Sequence, residues 1–538
     1  MGLPVDHKGR LVAALVTGLW SIGGFAAPPA SGPSQAELDG GARATDSWLM
    51  TNKSYDGARY VTLDQITRKN VATLKPVCIY DSGLTVQAQS TPLLYKDRFY
   101  LTAGQFTVAV DAKSCKEIWR HEWVLKGKAL STVNRGPAIK EGKLVRGTAD
   151  GHLIALSMES GALLWDRQIT SIEESHYLSM PAMIVDDLVI YGTAGADWGG
   201  QGWIGAFRLS DGSEVWRYGV LPQPGGAGSE SWGSSEAIQH GGGSFWTPVA
   251  IDRKKGVLFI PSGNPAPDFY GESRPGADIG TDTAIALDVK TGKVLWSRQF
   301  VAHDTHDWDL SQTSPLVQVQ IKGIQRDILI VSGKDGRIRG VDRNSSEVLY
   351  DTAVSKQENA DKDASEKPIH ICPGLLGGQE WSSSAFDPKR SIAVAPMVDW
   401  CGTVSHEAAA PVHQTATHFY GGKIDQDPID GARGDLAAID VASGTVVWKT
   451  EMAAPMLANV TMTSAGLTFA GDLKGTLYAV DSDSGDILLS YPLGASAGGG
   501  LFTYQLGQKQ YVTALSGSVS AFFGGGDASV KLTVLALP

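Results

Sequence analysis

Between Gly241 and Gly336 the sequence gathers side chains able to hold a cation and a flat anion together. The stretch reads GGGSFW, then SGNPAPDFYGESRPGADIGTDT, then HDTHDWDL, then SGKDG. It supplies Trp246, Asn264 in a Gly-Asn-Pro turn, a run of ionisable residues from His303 to Asp309, and Lys334 in a turn. Asn264, Asp304, Asp307 and Asp309 are hard oxygen donors, the type calcium takes from carboxylates and amide carbonyls. An indole face and a cation at one site suit a flat, conjugated, anionic cofactor. Each residue also has an ordinary use. Tryptophan is usually well buried in packing, Asn-Pro is a common turn, and a turn lysine is normally solvated. Acids this crowded can face water or bond to neighbouring backbone.

Loops that converge on one site need a rigid frame, and the chain repeats one. The unit is a strand, then Asp-x-x-x-Gly or a near variant, then a short run ending in Trp. It reads DAKSCKEIW (111–119), MESGALLW (158–165), LSDGSEVW (209–216), DVKTGKVLW (288–296) and DVASGTVVW (440–448), with weaker copies DRNSSEVLY (342–350) and DSDSGDILL (481–489). Alternating apolar strands such as HLIALS and AIALDV precede them. The glycine permits a left-handed turn, and the Trp can lock one sheet against the next. Repeats spaced by roughly 40 to 50 residues, each a four-strand unit, signal a propeller. The gap between Tyr350 and Trp448 has room for one further blade, with strands in SSAFDPKRSIAVAPMV. The expected fold is all-β, an eight-bladed β-propeller with Trp-docking repeats. Ligands then sit on the central axis, drawing residues from many blades.

A net charge of −11 argues against a nucleic-acid partner, for which a basic face is expected. It suits a basic protein partner or simply solubility. Residues 1–27 resemble an export signal: His7, Lys8 and Arg10 precede LVAALVTGLWSIGGFAA, which ends in small residues. The run is short and glycine-broken for a membrane span, and nothing later is long and apolar enough. A Gly/Ser/Pro-rich leader, 28–47, is expected to be mobile, leaving 48–538 as the folded domain. Cys78, Cys115, Cys372 and Cys401 remain after export. An even count in an oxidising compartment suggests disulfides, with three connectivities open. Cys78–Cys115 and Cys372–Cys401 are favoured because each pair flanks one strand-rich segment. There is no Cys-x-x-Cys-His for covalent haem.

Taken in order, TLDQITRKNVATLKPV, VNRG, GADWGGQGWIGAF, GGGSFW, SGNPAPDF, RPGADIGTDT, HDTHDWDL, SGKDGRIRGVDR, GDLKGTLYAVD and GGGLFTYQLGQKQYV resemble the quinoprotein alcohol dehydrogenases. That family uses pyrroloquinoline quinone (PQQ) and a metal ion in an eight-bladed propeller. The likeness spans nearly the whole mature chain and lies in the order and spacing of the motifs. It implies that Trp246 stacks on the quinone and that Lys334 supports charge beside it. Arg135, Gln89, Ser179 and Ser244 would bind its carboxylates, and Gly195 and Ala196 bring the backbone close. Asp197, Asn264, Asp307 and Asp309 would hold calcium, or a lanthanide. Asp197 and Gln89 each stand where relatives commonly carry Glu, and the family's vicinal cysteine pair is absent. Asp307 would be the general base, with Asp304 its rival in the same stretch.

The expected reaction is oxidation of an alcohol, polyol or sugar to an aldehyde or ketone. Asp307 takes the hydroxyl proton, hydride passes to PQQ, and the metal polarises the quinone carbonyl. Electrons then go to a separate cytochrome c in the periplasm. A different class remains open: a non-catalytic envelope propeller that binds other proteins. Such a scaffold has no use for Trp246, Asn264, Asp307 and Lys334 together. Hydrolysis by the paired acids would leave the Trp and the Lys unexplained.

Overall fold

The computed structural model describes residues 32–524 and 526–538; the expected export signal, 1–27, lies outside them. The chain is all-β in its regular core, with eight sheets of four or five strands and one of three strands among the described residues. The repeated sheet is an antiparallel meander, as in Leu93–Tyr95, Arg98–Ala103, Phe106–Asp111 and Glu117–Glu122. Its first strands are buried, whereas in Glu117–Glu122 only Trp119 is.

The Trp repeats dock neighbouring sheets by one recurring geometry. A register shift precedes the Trp, as between Ala109 and Val110 opposite Trp119. The extra residue bends the strand and re-aims the indole. It also accounts for the exposed Ile118, Leu164, Val215, Leu295 and Val447 one position earlier. The freed indole lies over the next sheet's turn and donates Nε1–H to its backbone: Trp119 to Met158 O at 3.1 Å, Trp165 to Leu209 O at 3.1 Å, Trp448 to Ser482 O at 3.0 Å. Gly161 shows why the turn carries glycine. Its φ is +72° and a Cβ there would stand 2.6 Å from the Trp119 ring.

The Tyr350–Trp448 gap is a correction to the sequence reading. The strands in SSAFDPKRSIAVAPMV belong to the sheet of Trp448 itself: Ala385–Asp387, Ile392–Asp399, Arg433–Asp440 and Val446–Met452. The gap instead holds the three-stranded sheet Ile369–Ile371, Gly402–His406 and Gly422–Gln426. The sheet that completes the set carries no Trp motif. It joins Lys75–Asp81 antiparallel to Lys531–Ala536, so the two ends of the domain share hydrogen bonds.

Both disulfides join the favoured partners. Cys78–Cys115 ties that closing sheet to the turn of its neighbour, and Cys372–Cys401 pins the base of the three-stranded sheet. The stretch expected to be a loose leader is packed from residue 32 on. Gln35–Asp39 is a short helix with a Ser34/Glu37 capping box. Leu38 is buried, and Asp39 pairs with Arg253 at 2.9 Å. No helix among the described residues is long and apolar enough to cross a membrane.

Candidate active site

Three loops meet on one carboxylate. Gly243 N–H donates to Asn264 O and Gly263 N–H to Ser244 O, both at 2.8 Å, which lashes GGGSFW to SGNP. Asp309 then accepts from Trp246 Nε1 at 2.9 Å and from the Asn264 N–H at 3.3 Å through Oδ1. Its Oδ2 lies 2.9 Å from Lys334 Nζ. Asp309 thereby fixes the indole, the Asn turn and the lysine in one arrangement. At Gly263 an added Cβ would overlap Asp309 Oδ1, so Asp309 would have to shift. Gly263→Ala is expected to fold but to displace Asp309 and lose cofactor binding by more than about tenfold; quinone absorbance after dialysis against PQQ checks it.

These loops border a cavity of 460 Å³. Of the residues singled out above, Gln89, Arg135, Gly195, Asp197 and Ser244 line it, as do Trp246, Asp307, Asp309 and Lys334. Ser179 stands behind and accepts from Arg135 Nη1 at 2.9 Å. The Arg135 guanidinium lies 4.5 Å from the Trp246 ring centroid and 5.4 Å from that of Trp381. Ala196 opens the short turn Ala196–Trp198 that presents Asp197. The far wall is the loop of the three-stranded sheet, where Phe419 N–H donates to Asp197 O at 2.7 Å and Tyr420 faces the cavity.

Asp307 and Asp304 part company here. Asp304 is fully buried and its carboxylate accepts backbone N–H groups of His306 at 2.8 Å and Trp308 at 2.7 Å. Against the cost of burial, the His306 ring first and then these backbone bonds hold its carboxyl below the usual range. Asp304 is therefore a brace for the turn. That turn puts Asp307 in the left-handed region, φ +61°, which Asp tolerates better than most residues. Asp307 lines the cavity, with Oδ2 3.0 Å from Lys334 Nζ and Oδ1 without a partner.

Burial and mutual repulsion dominate the electrostatics. Burial, then Asp309, pushes Asp197 up to about 6, despite Lys334. Burial holds Asp307 well above the carboxylate range, against Lys334 and with Asp197 and Asp309 adding to the rise. Burial alone would lower Lys334, but Asp307 and Asp309 raise it well above its ordinary value. A raised carboxyl pKa stabilises the fold less as the group ionises, so this contribution falls as pH rises from about 4 through about 6. A cation among the acids reverses it. The melting-temperature gain on adding calcium to metal-free protein is expected to be larger at pH 7.5 than at pH 5; thermal melts at the two pH values check this.

Three residues here went unread in the sequence. Asp268 is fully buried, with neither oxygen paired. Glu380 lines the cavity, and burial pushes it up to about 7. Arg274 is fully buried and fastens the site loops from below, bonding the carbonyls of Pro267, Asp268 and Asp304 and pairing with Asp278 at 2.5 Å. Asp268 and Arg274 lay within the quoted motifs, and GGQEW offered Glu380; only the buried charge of each marks it, and burial in loops has no periodicity to read.

The donor set fits a hard cation and an anionic quinone. Asn264 Oδ1, Asp307 Oδ1, Gln89 Oε1 and Arg135 Nε are buried without partners, and buried polar atoms are nearly always paired. Oxygens of Asp197 and Asp307 lie within 4.8 Å of each other, a spacing that one hard cation can bridge. The family described as PQQ, glucose/ethanol/alcohol dehydrogenase, beta-propeller domain, matches residues 48–364. That of the outer membrane protein assembly factor BamB matches 432–524. Among individual proteins, quinohemoprotein alcohol dehydrogenase ADH IIB of Pseudomonas putida is 27% identical over 92% of this chain and 77% of its own. The lanthanide-dependent methanol dehydrogenase of Methylacidiphilum fumariolicum is 26% identical over 89% and 85%. The solved structure of quinohemoprotein alcohol dehydrogenase ADHIIG from Pseudomonas putida HK5 shares the fold, with TM-score 0.88 and 22% identity over 95% of this chain and 83% of that one. With the family match covering more than half its length, this chain belongs to the PQQ-dependent glucose/ethanol/alcohol dehydrogenase β-propeller family.

Proposed function

We propose that the chain oxidises the hydroxyl of an alcohol, polyol or sugar to a carbonyl, with PQQ seated on Trp246 and a cation, calcium or a lanthanide, beside it. The observation that carries this is the pose of Asp307 in the cavity wall: one oxygen tied to Lys334, the other buried without a partner. Asp197, Asn264 and Asp307 would hold the ion, bordered by Asp309. Gln89, Arg135, Ser179 and Ser244 would take the cofactor's carboxylates, for which the guanidinium fork is well suited, and Gly195 and Ala196 leave room for it. A flat ring stacked on the indole face that Arg135 covers at 4.5 Å would displace the guanidinium.

When bound, PQQ supplies a two-electron, hydride-accepting carbonyl that the cation polarises. Asp307 Oδ1 takes the substrate's hydroxyl proton. Lys334, held between Asp307 and Asp309, keeps positive charge where negative charge develops. Trp246 fixes the plane of the cofactor, and Asp309 fixes Trp246. Electrons would then pass to a separate cytochrome c. We read the eight large sheets as eight blades of one domain, 48–538, exported to the periplasm by 1–27.

The test is reconstitution of the metal-free protein with PQQ and calcium or lanthanum, followed by dye reduction across a panel of alcohols. Dye reduction dependent on PQQ, metal and alcohol supports the reading. A protein that takes up no quinone, judged by its absorption spectrum, sinks it and favours the scaffold reading.

A further inference from the structure

The carboxylates nearest one another in the cavity region are not the set named from the motifs. Oxygens of Asp197, Asp268 and Asp307 all lie within 4.8 Å of one another. Oxygen ligands about 2.3–2.6 Å from one central calcium stand at most about 5 Å apart, so the triad has the dimensions of half a coordination shell. Asp268 is 0% exposed and neither of its oxygens has a hydrogen-bond partner or a cation. An unpaired buried carboxylate is strongly unfavourable, and in folded proteins such groups are paired or bind metal.

The backbone holds Asp268 in place from both sides. Arg274 Nη2 donates to Pro267 O at 3.0 Å and Asp268 O at 3.2 Å, and Phe269 N–H donates to Tyr420 O at 2.8 Å. Asp309 contrasts with it. Both Asp309 oxygens are engaged, by Trp246, the Asn264 N–H and Lys334. Lys334 Nζ serves Asp307 and Asp309, while nothing among the described residues serves Asp268.

We propose that Asp268 is a direct carboxylate ligand of the ion, completing a triad with Asp197 and Asp307, while Asp309 acts mainly as the bracket for Trp246 and Lys334. This rests on the proposed metal site and extends it to a residue in the PAPDF segment.

The test compares wild type, D268N and D268A, each prepared metal-free and loaded with PQQ. Calcium binding is measured by calorimetry. Terbium luminescence lifetimes in H2O and D2O count the waters on the ion. The expected result is a loss of calcium affinity of about 10- to 100-fold and one additional terbium-bound water in D268A. Metal-free D268N should melt no lower than metal-free wild type, because no hydrogen bond to either Asp268 oxygen is lost, while its melting-temperature gain on adding calcium shrinks. Equal calcium affinity and equal water counts in wild type and variants overturn the assignment of Asp268 and leave the metal site standing. A metal-free D268N that melts well below wild type makes Asp268 structural and also overturns it. Wild type that binds neither ion removes the metal site itself, and Asp268 with it.

Discussion

Asp307→Asn is expected to keep its PQQ and to lose about 10²- to 10⁴-fold in kcat, the usual contribution of a positioned general base. The amide preserves the shape of the side chain and can still accept from Lys334, whose Nζ is 3.0 Å from Asp307 Oδ2. It cannot take a proton at the oxygen that Asp307 leaves without a partner. The backbone there is already set by Asp304, which accepts from the His306 and Trp308 N–H groups, so the turn survives the change. Steady-state kinetics at saturating metal, with quinone occupancy read by absorbance, separates lost chemistry from lost cofactor. Full turnover in a quinone-loaded variant rejects Asp307 as the base.

Arg274→Ala is expected to cost about 3–5 kcal/mol of stability, the penalty for breaking a buried ion pair from one side. Both partners are fully buried, with 0% of either side chain exposed and 2.5 Å between Nη1 and Asp278 Oδ2. Removing the guanidinium leaves Asp278 with only His303, 3.5 Å away, near Asp282, whose carboxyl burial and Asp304 already push well above the usual range. It also releases three backbone carbonyls, at Pro267, Asp268 and Asp304, that Arg274 ties together. The loops that carry Asp268 and Asp307 then lose their common anchor, so metal uptake falls along with stability. Arg274→Lys restores charge but not the fork that spans several acceptors, and is expected to recover only part of the loss. Denaturant unfolding of the three proteins measures it; a shift within about 0.5 kcal/mol, as for ordinary surface changes, contradicts the assigned role.

The frame was legible because its signal is local. Each Trp repeat carries its own turn, bulge and staple within some ten residues, and the structure uses them as such at Trp119, Trp165, Trp216, Trp296 and Trp448. The closing sheet was not legible, because Lys75–Asp81 and Lys531–Ala536 meet only across the whole domain and carry no motif. The three-stranded sheet was missed for a similar reason: its strands are short and its packing is against the cavity rather than in the repeat. Within the site, residues in ordered motifs were found, and most of them line one cavity. Asp268, Arg274 and Glu380 were passed over because an acid or a base in a loop reads as solvated until its burial is seen. The preference for Asp307 over Asp304 came from the family resemblance; the two lie three residues apart and differ in what their carboxylates bond.

Diffraction from crystals grown with PQQ and lanthanum, collected where lanthanum scatters anomalously, reads the central arrangement directly. The expected result is one anomalous peak about 2.3–2.6 Å from Asn264 Oδ1 and an Asp307 oxygen, with the quinone ring parallel to the Trp246 indole. A quinone bound elsewhere, or a Trp246 ring bare beside a metal-free Asp307, contradicts it.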